Sequence, residues 1–319
     1  MTLELDSLRL PVVAAPMFLI SGPDLVIAAA QAGIVGSFPA PNCRTTEELD
    51  SWMSTIAAGV EGAPGTWALN LVTHRTNARL EADLEVVAQH RPPVVITALG
   101  SPKPVMETVH GYGGLVIADV VSMTLAHKAV AAGVDGLACV SAGAGGHTGH
   151  LSPFAFVSAV REFFDGIVTI GGGISDGHGV AGAIAAGADL VYVGTRFLAT
   201  TESTAQPAYK QMVVEHGPDD LIVSSAVTGT DASWLRPSLV ANGYDVETMT
   251  PPAQREYASG EAAHTRWKDI WAAGQGLQTI RAVEPTAAVV ERMEREYAEA
   301  AARLARLAPG VPVMVQEGK

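Results

Sequence analysis

Two glycine-rich turns each follow a short apolar segment of this 319-residue chain, and roughly one βα unit separates them. Gly171-Gly172-Gly173 follows Ile167–Ile170, and Gly194-Thr195 follows Leu190–Val193. Glycine has no Cβ, so its backbone can approach an anion closely. In a parallel βα barrel, the loops after the last two strands form a phosphate site of this kind. A single glycine turn would only reverse the chain, but the pair predicts a phosphate-binding cradle.

A histidine follows a third apolar segment, upstream of these turns. Gly136–Ser141 leads into Ala144–Gly149, which contains His147. An imidazole has an ordinary pKa of about 6.5, so it can take or give a proton near neutral pH. Catalytic groups collect at the ends of barrel strands, so we predict that His147 is catalytic and faces a phosphate-anchored cofactor. No carboxylate or cysteine flanks His150 at the spacing of zinc ligands, and no metal site is predicted.

Three other segments are candidates for the same rim. Ala15-Pro16-Met17 ends the first predicted strand and Asn70 ends the third. Met17 could pack on an aromatic ring system and Asn70 could hydrogen-bond to a heterocycle, although both could equally be generic lining. Gln275 lies in a late glycine-bearing loop beside Trp267 and Trp271. That loop either packs a cap onto the barrel or closes over the cofactor, with Gln275 as its polar contact.

Repeated strand–helix units must position these residues, because short β-branched segments alternate with longer segments of helical periodicity. The eight predicted strands are Pro11–Ala15, Ile34–Phe38, Thr66–Leu71, Val94–Ala98, Leu115–Val120, Gly136–Ser141, Ile167–Ile170 and Leu190–Val193. The helical segments include Pro23–Ala32, Thr46–Ala58, Ala78–Gln89, Ser122–Ala132, Pro153–Phe164 and Gly177–Ala186. Eight such units favour an α/β fold of the (β/α)8 barrel type over an open sheet.

The chain changes character after residue 200. Prolines and polar loops become frequent, so residues 201–267 are predicted to form a smaller helical cap or substrate region inserted after the last barrel strand. Residues 1–200 would form the barrel, completed by helices within residues 268–319. The last predicted helix, Thr286–Leu307, has an apolar stripe that can dock on the barrel wall. The stripe consists of Val289, Met293, Tyr297, Ala300 and Leu304.

Composition restricts the partners of this protein. The net charge is −13 and there are only 20 Lys and Arg residues, whereas nucleic-acid phosphates require clustered basic side chains. Two cysteines, Cys43 and Cys139, are too few for a disulfide framework. The N-terminus lacks a signal-peptide pattern, and no apolar segment is long enough to span a membrane. We expect a cytoplasmic protein with a small-molecule substrate. A homodimer is common for barrels of this size.

Together, these segments resemble the nitronate monooxygenases, once called 2-nitropropane dioxygenases, and their relatives, the FMN-dependent enoyl-acyl-carrier-protein reductases of the FabK type. The matching segments are Ala14-Ala15-Pro16-Met17, Asn70, Ala144-Gly145-Gly146-His147-Thr148-Gly149, Gly171-Gly172-Gly173-Ile174, Asp176-Gly177, Gly194-Thr195-Arg196-Phe197-Leu198 and Ala273-Gly274-Gln275-Gly276. The resemblance implies a TIM barrel that binds FMN, with His147 facing the flavin ring. The predicted cofactor-binding residues are Ala15, Pro16, Met17, Asn70, Gly145, Gly146, Gly171, Gly172, Gly173, Gly194, Thr195 and Gln275.

The resemblance implies that alkyl nitronates such as propionate 3-nitronate are oxidised with O2 to a carbonyl compound and nitrite. Many such enzymes have glutamine, glycine and glutamate just before the AGGH motif, where this chain has Val140, Ser141 and Gly143. Subclass and substrate therefore stay open. The alternatives are an NAD(P)H-dependent flavin reductase that acts on quinones or enoyl substrates, and a non-catalytic barrel that binds flavin or phosphate.

Overall fold

A computed structural model describes residues 7–251 and 267–307 of the chain. Its strands, in chain order, are β1 (Val12–Ala14), β2 (Val35–Pro39), β3 (Thr66–Val72), β4 (Val94–Ala98), β5 (Leu115–Val120), β6 (Gly136–Val140), β7 (Gly146–His147), β8 (Ile167–Gly171), β9 (Leu190–Val193), β10 (Leu221–Ser224) and β11 (Ala232–Leu235). Eight of them form a closed parallel barrel in the order β1-β2-β3-β4-β5-β6-β8-β9, and β9 pairs with β1. The predicted (β/α)8 barrel is confirmed, and each predicted strand agrees with the structure to within one residue at either end.

Helices surround the barrel. They are α1 (Pro23–Gln31), α2 (Thr46–Gly59), α3 (Leu80–His90), α4 (Lys103–Gly111), α5 (Met123–Ala131), α6 (Pro153–Arg161), α7 (Gly177–Ala185), α8 (Thr195–Leu198), α9 (Pro207–Glu215), α10 (Arg236–Ala241) and α11 (Thr286–Leu307). Several begin at a side chain that accepts a hydrogen bond from a free N–H of the first turn. Ser122 accepts from the N–H of Leu125, Ser152 from that of Ala155, and Asp176 from that of Gly179.

Two apolar layers hold the barrel together. One lies between strands and helices, where side chains such as Leu25, Phe38 and Phe156 are fully buried. The other fills the barrel interior with Val13, Val35, Ala68, Val94, Ile96, Ile117, Ala138, Leu190 and Tyr192. Because side chains alternate across each strand, residues of one parity point inward and those of the other pack against the helices. A filled interior leaves the C-terminal rim as the place for a site.

The region after β9 is not purely helical. Beside α9 and α10 it contains β10 and β11, which form an antiparallel sheet with β7 in the order β10-β11-β7. Since β7 belongs to the loop after β6, this sheet joins the barrel rim to the region that follows the barrel. The boundaries predicted for the cap, residues 201–267, stay a prediction, and residues 252–266 lie outside the described part of the chain.

Only the first half of α11 docks on the barrel. Val289 and Met293 are buried and Tyr297 is partly buried, but Leu304 is 49% exposed. The prediction that the apolar stripe docks as far as Leu304 is therefore wrong, because the described barrel wall does not extend along the last turns. No helix within residues 7–251 or 267–307 has the length and apolar composition needed to cross a membrane.

Candidate active site

Four glycine-containing loops converge at the C-terminal rim of the barrel. The N–H of Gln275 donates a 2.9 Å hydrogen bond to the carbonyl of Gly143, and the N–H of Gly274 donates one of the same length to Oγ1 of Thr195. The side chain of Gln275 also reaches Gly173, since a Cβ built there would lie 3.6 Å from its Cβ. The structure thus brings together the loops after β6, β8 and β9 and the late loop around Gln275.

The glycine turn after β8 has a backbone that side chains rarely adopt. Gly171 ends the strand, Gly172 follows it, and Gly173 has a φ of +71°. At positive φ a Cβ collides with the neighbouring carbonyl, which favours glycine. Ser141 supports the turn from the β6 loop, because its hydroxyl donates a 2.6 Å hydrogen bond to the carbonyl of Gly171.

Gly194 presents a different case. Its φ of −101° is open to any residue, and a Cβ would meet its nearest protein atoms, Sδ of Met17 and Cβ of Ala15, only at 3.7 and 3.9 Å. Neither backbone strain nor protein packing therefore requires glycine here. A group outside the protein that approaches this backbone closely would require it. The same contacts place the predicted segment Ala15-Pro16-Met17 beside Gly194, where Asn42 donates a 3.1 Å hydrogen bond to the carbonyl of Met17.

His147 projects from the short strand β7, not from a barrel strand. Its backbone pairs with Ala232 of β11, and Gly146 pairs with Ser233. The imidazole meets the ring of Trp267 edge to face at a centroid distance of 5.3 Å, and Trp267 packs in turn on Trp234. The side chain is exposed toward the rim, yet the protein around it removes solvent and lowers the pKa of the imidazole below its ordinary value. His147 is therefore neutral at neutral pH.

A polar group inside the barrel was not among the predicted site residues. Asp119 of β5 lies between two of its neighbours across the barrel: the amide of Asn70 donates to its Oδ2 at 3.4 Å and the hydroxyl of Tyr192 to its Oδ1 at 3.3 Å. Loss of solvent raises the pKa of the Asp119 carboxyl to about 7. The period of two along β5 carried the signal, because Ile117 points into the barrel and Asp119 shares its parity. Asn70 itself is at the predicted place.

His150 lies apart from the glycine loops. It lines a pocket of about 280 Å³ with Ser122, Thr148 and Asp231, between the loops after β5 and β6 and the loop before β11. Within the described residues, one group of possible metal ligands lies elsewhere: Asp176, His178 and Glu296. Both carboxylates of that group already accept backbone N–H groups of α7, from Gly179 and Gly177. They account for the start of that helix.

The sequence matches the family described as Nitronate monooxygenase over residues 65–296. It is 26% identical over 349 aligned positions to a nitronate monooxygenase of Paraburkholderia phytofirmans, with 93% of this chain and 95% of that protein covered. It is 30% identical over 241 positions to the (3aS,4S,5R,7aS)-5-hydroxy-7a-methyl-1-oxo-octahydro-1H-indene-4-carboxyl-CoA dehydrogenase of Mycobacterium tuberculosis. That match covers 74% of this chain and spans 66% of the dehydrogenase.

The fold is also that of a solved enzyme. FabK from Thermotoga maritima superposes with a TM-score of 0.79 at 24% identity, and the match covers 96% of this chain and 98% of that one. The family match extends from the start of β3 into α11, so it includes the His147 loop, both glycine turns and Gln275. The chain therefore belongs to the nitronate monooxygenase family, a family of flavin-dependent oxidoreductases.

Proposed function

We propose that this protein binds FMN at the C-terminal rim of its barrel and oxidises alkyl nitronates with O2 to a carbonyl compound and nitrite. Family membership supports the reaction. The observation that carries the proposal for this chain is Gly194, a glycine that neither its φ of −101° nor its protein neighbours require. A phosphate held by backbone N–H groups accounts for it.

The residues present fit FMN. The N–H groups around Gly172, Gly173, Gly194 and Thr195 would hold the phosphate, since the first N–H groups of α8 have no acceptor within the helix. Ala15, Pro16, Met17, Asn70, Gly145, Gly146, Gly171 and Gln275 would line the rest of the cofactor site. When bound, FMN supplies the redox chemistry that no side chain of the protein supplies.

His147 would move the proton. Because its imidazole is neutral at neutral pH, it can accept the α-proton of a neutral nitroalkane at a ring nitrogen. A nitronate has already lost that proton, so His147 would then hold the substrate by a hydrogen bond from its N–H. Trp267, which packs edge to face on the imidazole, orients the ring and keeps water from one side of it.

A second candidate is an oxidoreductase with a larger substrate. The dehydrogenase named above takes a CoA thioester, and a pocket of about 280 Å³ opens next to the His147 loop. That pocket offers hydroxyl groups from Ser122 and Thr230 and the imidazole of His150. In this case reducing equivalents would be exchanged with NAD(P)H, a quinone or an enoyl substrate, and His147 would act as proton donor.

Anaerobic stopped-flow reduction distinguishes the two candidates. The purified protein should be yellow and should release FMN on denaturation. A nitronate should bleach the flavin within the time of turnover, and NADH and NADPH should bleach it far more slowly. Oxygen uptake and nitrite release should then follow in air. Rapid bleaching by NADH or NADPH alone would favour the second candidate, and a protein that is colourless and does not take up FMN would reject both.

A further inference from the structure

Asp119 is a carboxyl group in an otherwise apolar barrel interior. The side chains of its layer neighbours, among them Ile96, Ile117 and Ala138, are apolar and nearly fully buried. Asp119 itself is only partly buried, whereas Ala118 and Val120 on either side of it are buried. The open side of the carboxyl therefore faces the C-terminal mouth, where the flavin is proposed to bind.

The hydrogen-bond donors on Asp119 carry no charge. Asn70 reaches it from β3 and Tyr192 from β9, at 3.4 and 3.3 Å. These long, neutral contacts compensate little for the loss of water around a carboxylate. An ionised carboxyl here is consequently poorly stabilised, and it would act on any charge that develops at the mouth of the barrel.

The other ionisable groups packed against Asp119 stay protonated at neutral pH. Burial raises the pKa of the Tyr192 hydroxyl well above its ordinary value, and it raises the pKa of the Cys139 thiol of β6 to about 12. With the pKa of Asp119 at about 7, this carboxyl is the member of the cluster that changes charge near neutral pH. His147, at the same rim, titrates at lower pH.

We propose that Asp119 is the positioning residue that sets the charge of the flavin environment in this protein and thereby the ease of flavin reduction. The inference rests on the proposed function, since it requires bound FMN. The flavin gains negative charge when it is reduced. A neutral Asp119 permits that gain, and an ionised Asp119 opposes it. By thermodynamic linkage, reduction of the flavin in turn favours uptake of a proton by Asp119.

The measurement is the ratio of the dissociation constants of reduced and oxidised FMN, obtained from the reduction potentials of bound and free flavin between about pH 5.5 and pH 9. We expect the ratio for the native protein to rise by about tenfold across this range beyond the change seen in Asp119→Asn, which equals about 30 mV for a two-electron couple. His147 and the flavin titrate in both proteins, so the difference between them isolates Asp119.

Tyr192→Phe provides a signed second test. The Tyr192 hydroxyl stabilises the ionised carboxyl, so its removal raises the pKa of Asp119 further. The step in the ratio should therefore move to higher pH in Tyr192→Phe and vanish in Asp119→Asn. A residue with a purely structural role would lower stability in both variants without moving the step. Identical pH profiles for the native protein and Asp119→Asn would overturn the inference.

The native protein also provides a test that no variant can spoil. Infrared difference spectra at pH 8 should show a protonated carboxyl group that appears on flavin reduction, as about one proton is taken up. If Asp119→Asn does not fold, this band and the shift in Tyr192→Phe decide the matter, and their joint absence rejects the inference. A native protein that binds no FMN instead rejects the proposed function, so the two failures are distinguishable.

Discussion

The N–H of Gly274 donates a 2.9 Å hydrogen bond to Oγ1 of Thr195, so the late loop that carries Gln275 is fastened to the first residue of α8. Thr195 is therefore expected to serve the site in two ways: its backbone N–H faces the proposed phosphate, and its hydroxyl holds the loop that covers it. Gly274 is buried, so its N–H has little access to water as an alternative acceptor.

Replacing that hydroxyl should loosen the loop. Thr195→Val keeps the shape of the side chain but leaves the N–H of Gly274 without its acceptor, which costs about 1–3 kcal/mol of unfolding free energy. We expect a lower urea midpoint and FMN affinity reduced at least about tenfold, by the arithmetic that equates tenfold with 1.4 kcal/mol. Thr195→Ser retains the oxygen and should restore most of both. Equal FMN affinity in Thr195→Val and the native protein would contradict the expectation.

The glycine turn after β8 allows a matched pair of variants. Gly173 and Gly62 have φ values of +71° and +73°, and Gly62 lies before β3, at the opposite end of the barrel. An alanine at either position costs about 1–2 kcal/mol of strain, so both variants should lose similar stability. Only Gly173→Ala should also lose FMN affinity, measured by flavin fluorescence during titration of the apoprotein. Equal losses of affinity in both would show that the cradle is not at Gly173.

His147→Asn should separate two substrates. Oxidation of a neutral nitroalkane needs a base, and general-base catalysis contributes about 10²–10⁴-fold, whereas a preformed nitronate needs none. We expect nitrite release from the nitroalkane to fall by at least about 100-fold and that from the nitronate to fall much less. His178→Asn, an exposed histidine on α7, is the control.

The pH profile of the native protein tests the same assignment. Because burial lowers the pKa of His147, the basic form is complete above its ordinary value of 6.5. Nitroalkane activity should therefore stay level above that pH and decline as the pH falls below it. A decline at alkaline pH would indicate that the protonated imidazole is the active form.

Asp119 should also make stability depend on pH. Its pKa is about 7 in the folded protein and about 3.9 in an unfolded chain. The folded state thus binds more protons between these values, and its stability falls as the pH rises through about 7. At pH 8 the native protein should have lost roughly 2–4 kcal/mol relative to pH 4, beyond any loss in Asp119→Asn. Urea unfolding of both proteins at the two pH values measures the difference, and parallel curves would contradict it.

The barrel was predictable because its signals are local. Each strand is a short β-branched segment followed by a helical one, and turns such as Gly171-Gly172-Gly173 mark where the strands end. The convergence of Gly194, Thr195 and Gln275 was predictable once the barrel was assumed, since loops after parallel strands share one rim. Their binding of FMN stays a prediction.

What the sequence did not disclose depends on contacts between distant segments. The strand β7 has two residues in a glycine-rich loop, and only pairing with Ala232 and Ser233 makes it a strand. Leu304 has the right helical spacing, but no described neighbour covers it. Asp119 could have been noticed from its inward parity, yet its donors, Asn70 and Tyr192, come from strands far apart in the chain.

The short strand β7 has one more implication, for how this scaffold could diversify. The residue proposed to move the proton takes its backbone partners from the segment after the barrel, while the anion cradle belongs to the barrel itself. Changes in β10 and β11 could therefore re-aim the imidazole without disturbing the grip on the coenzyme. Exchange of this module between relatives should transfer substrate preference and leave the coenzyme unchanged.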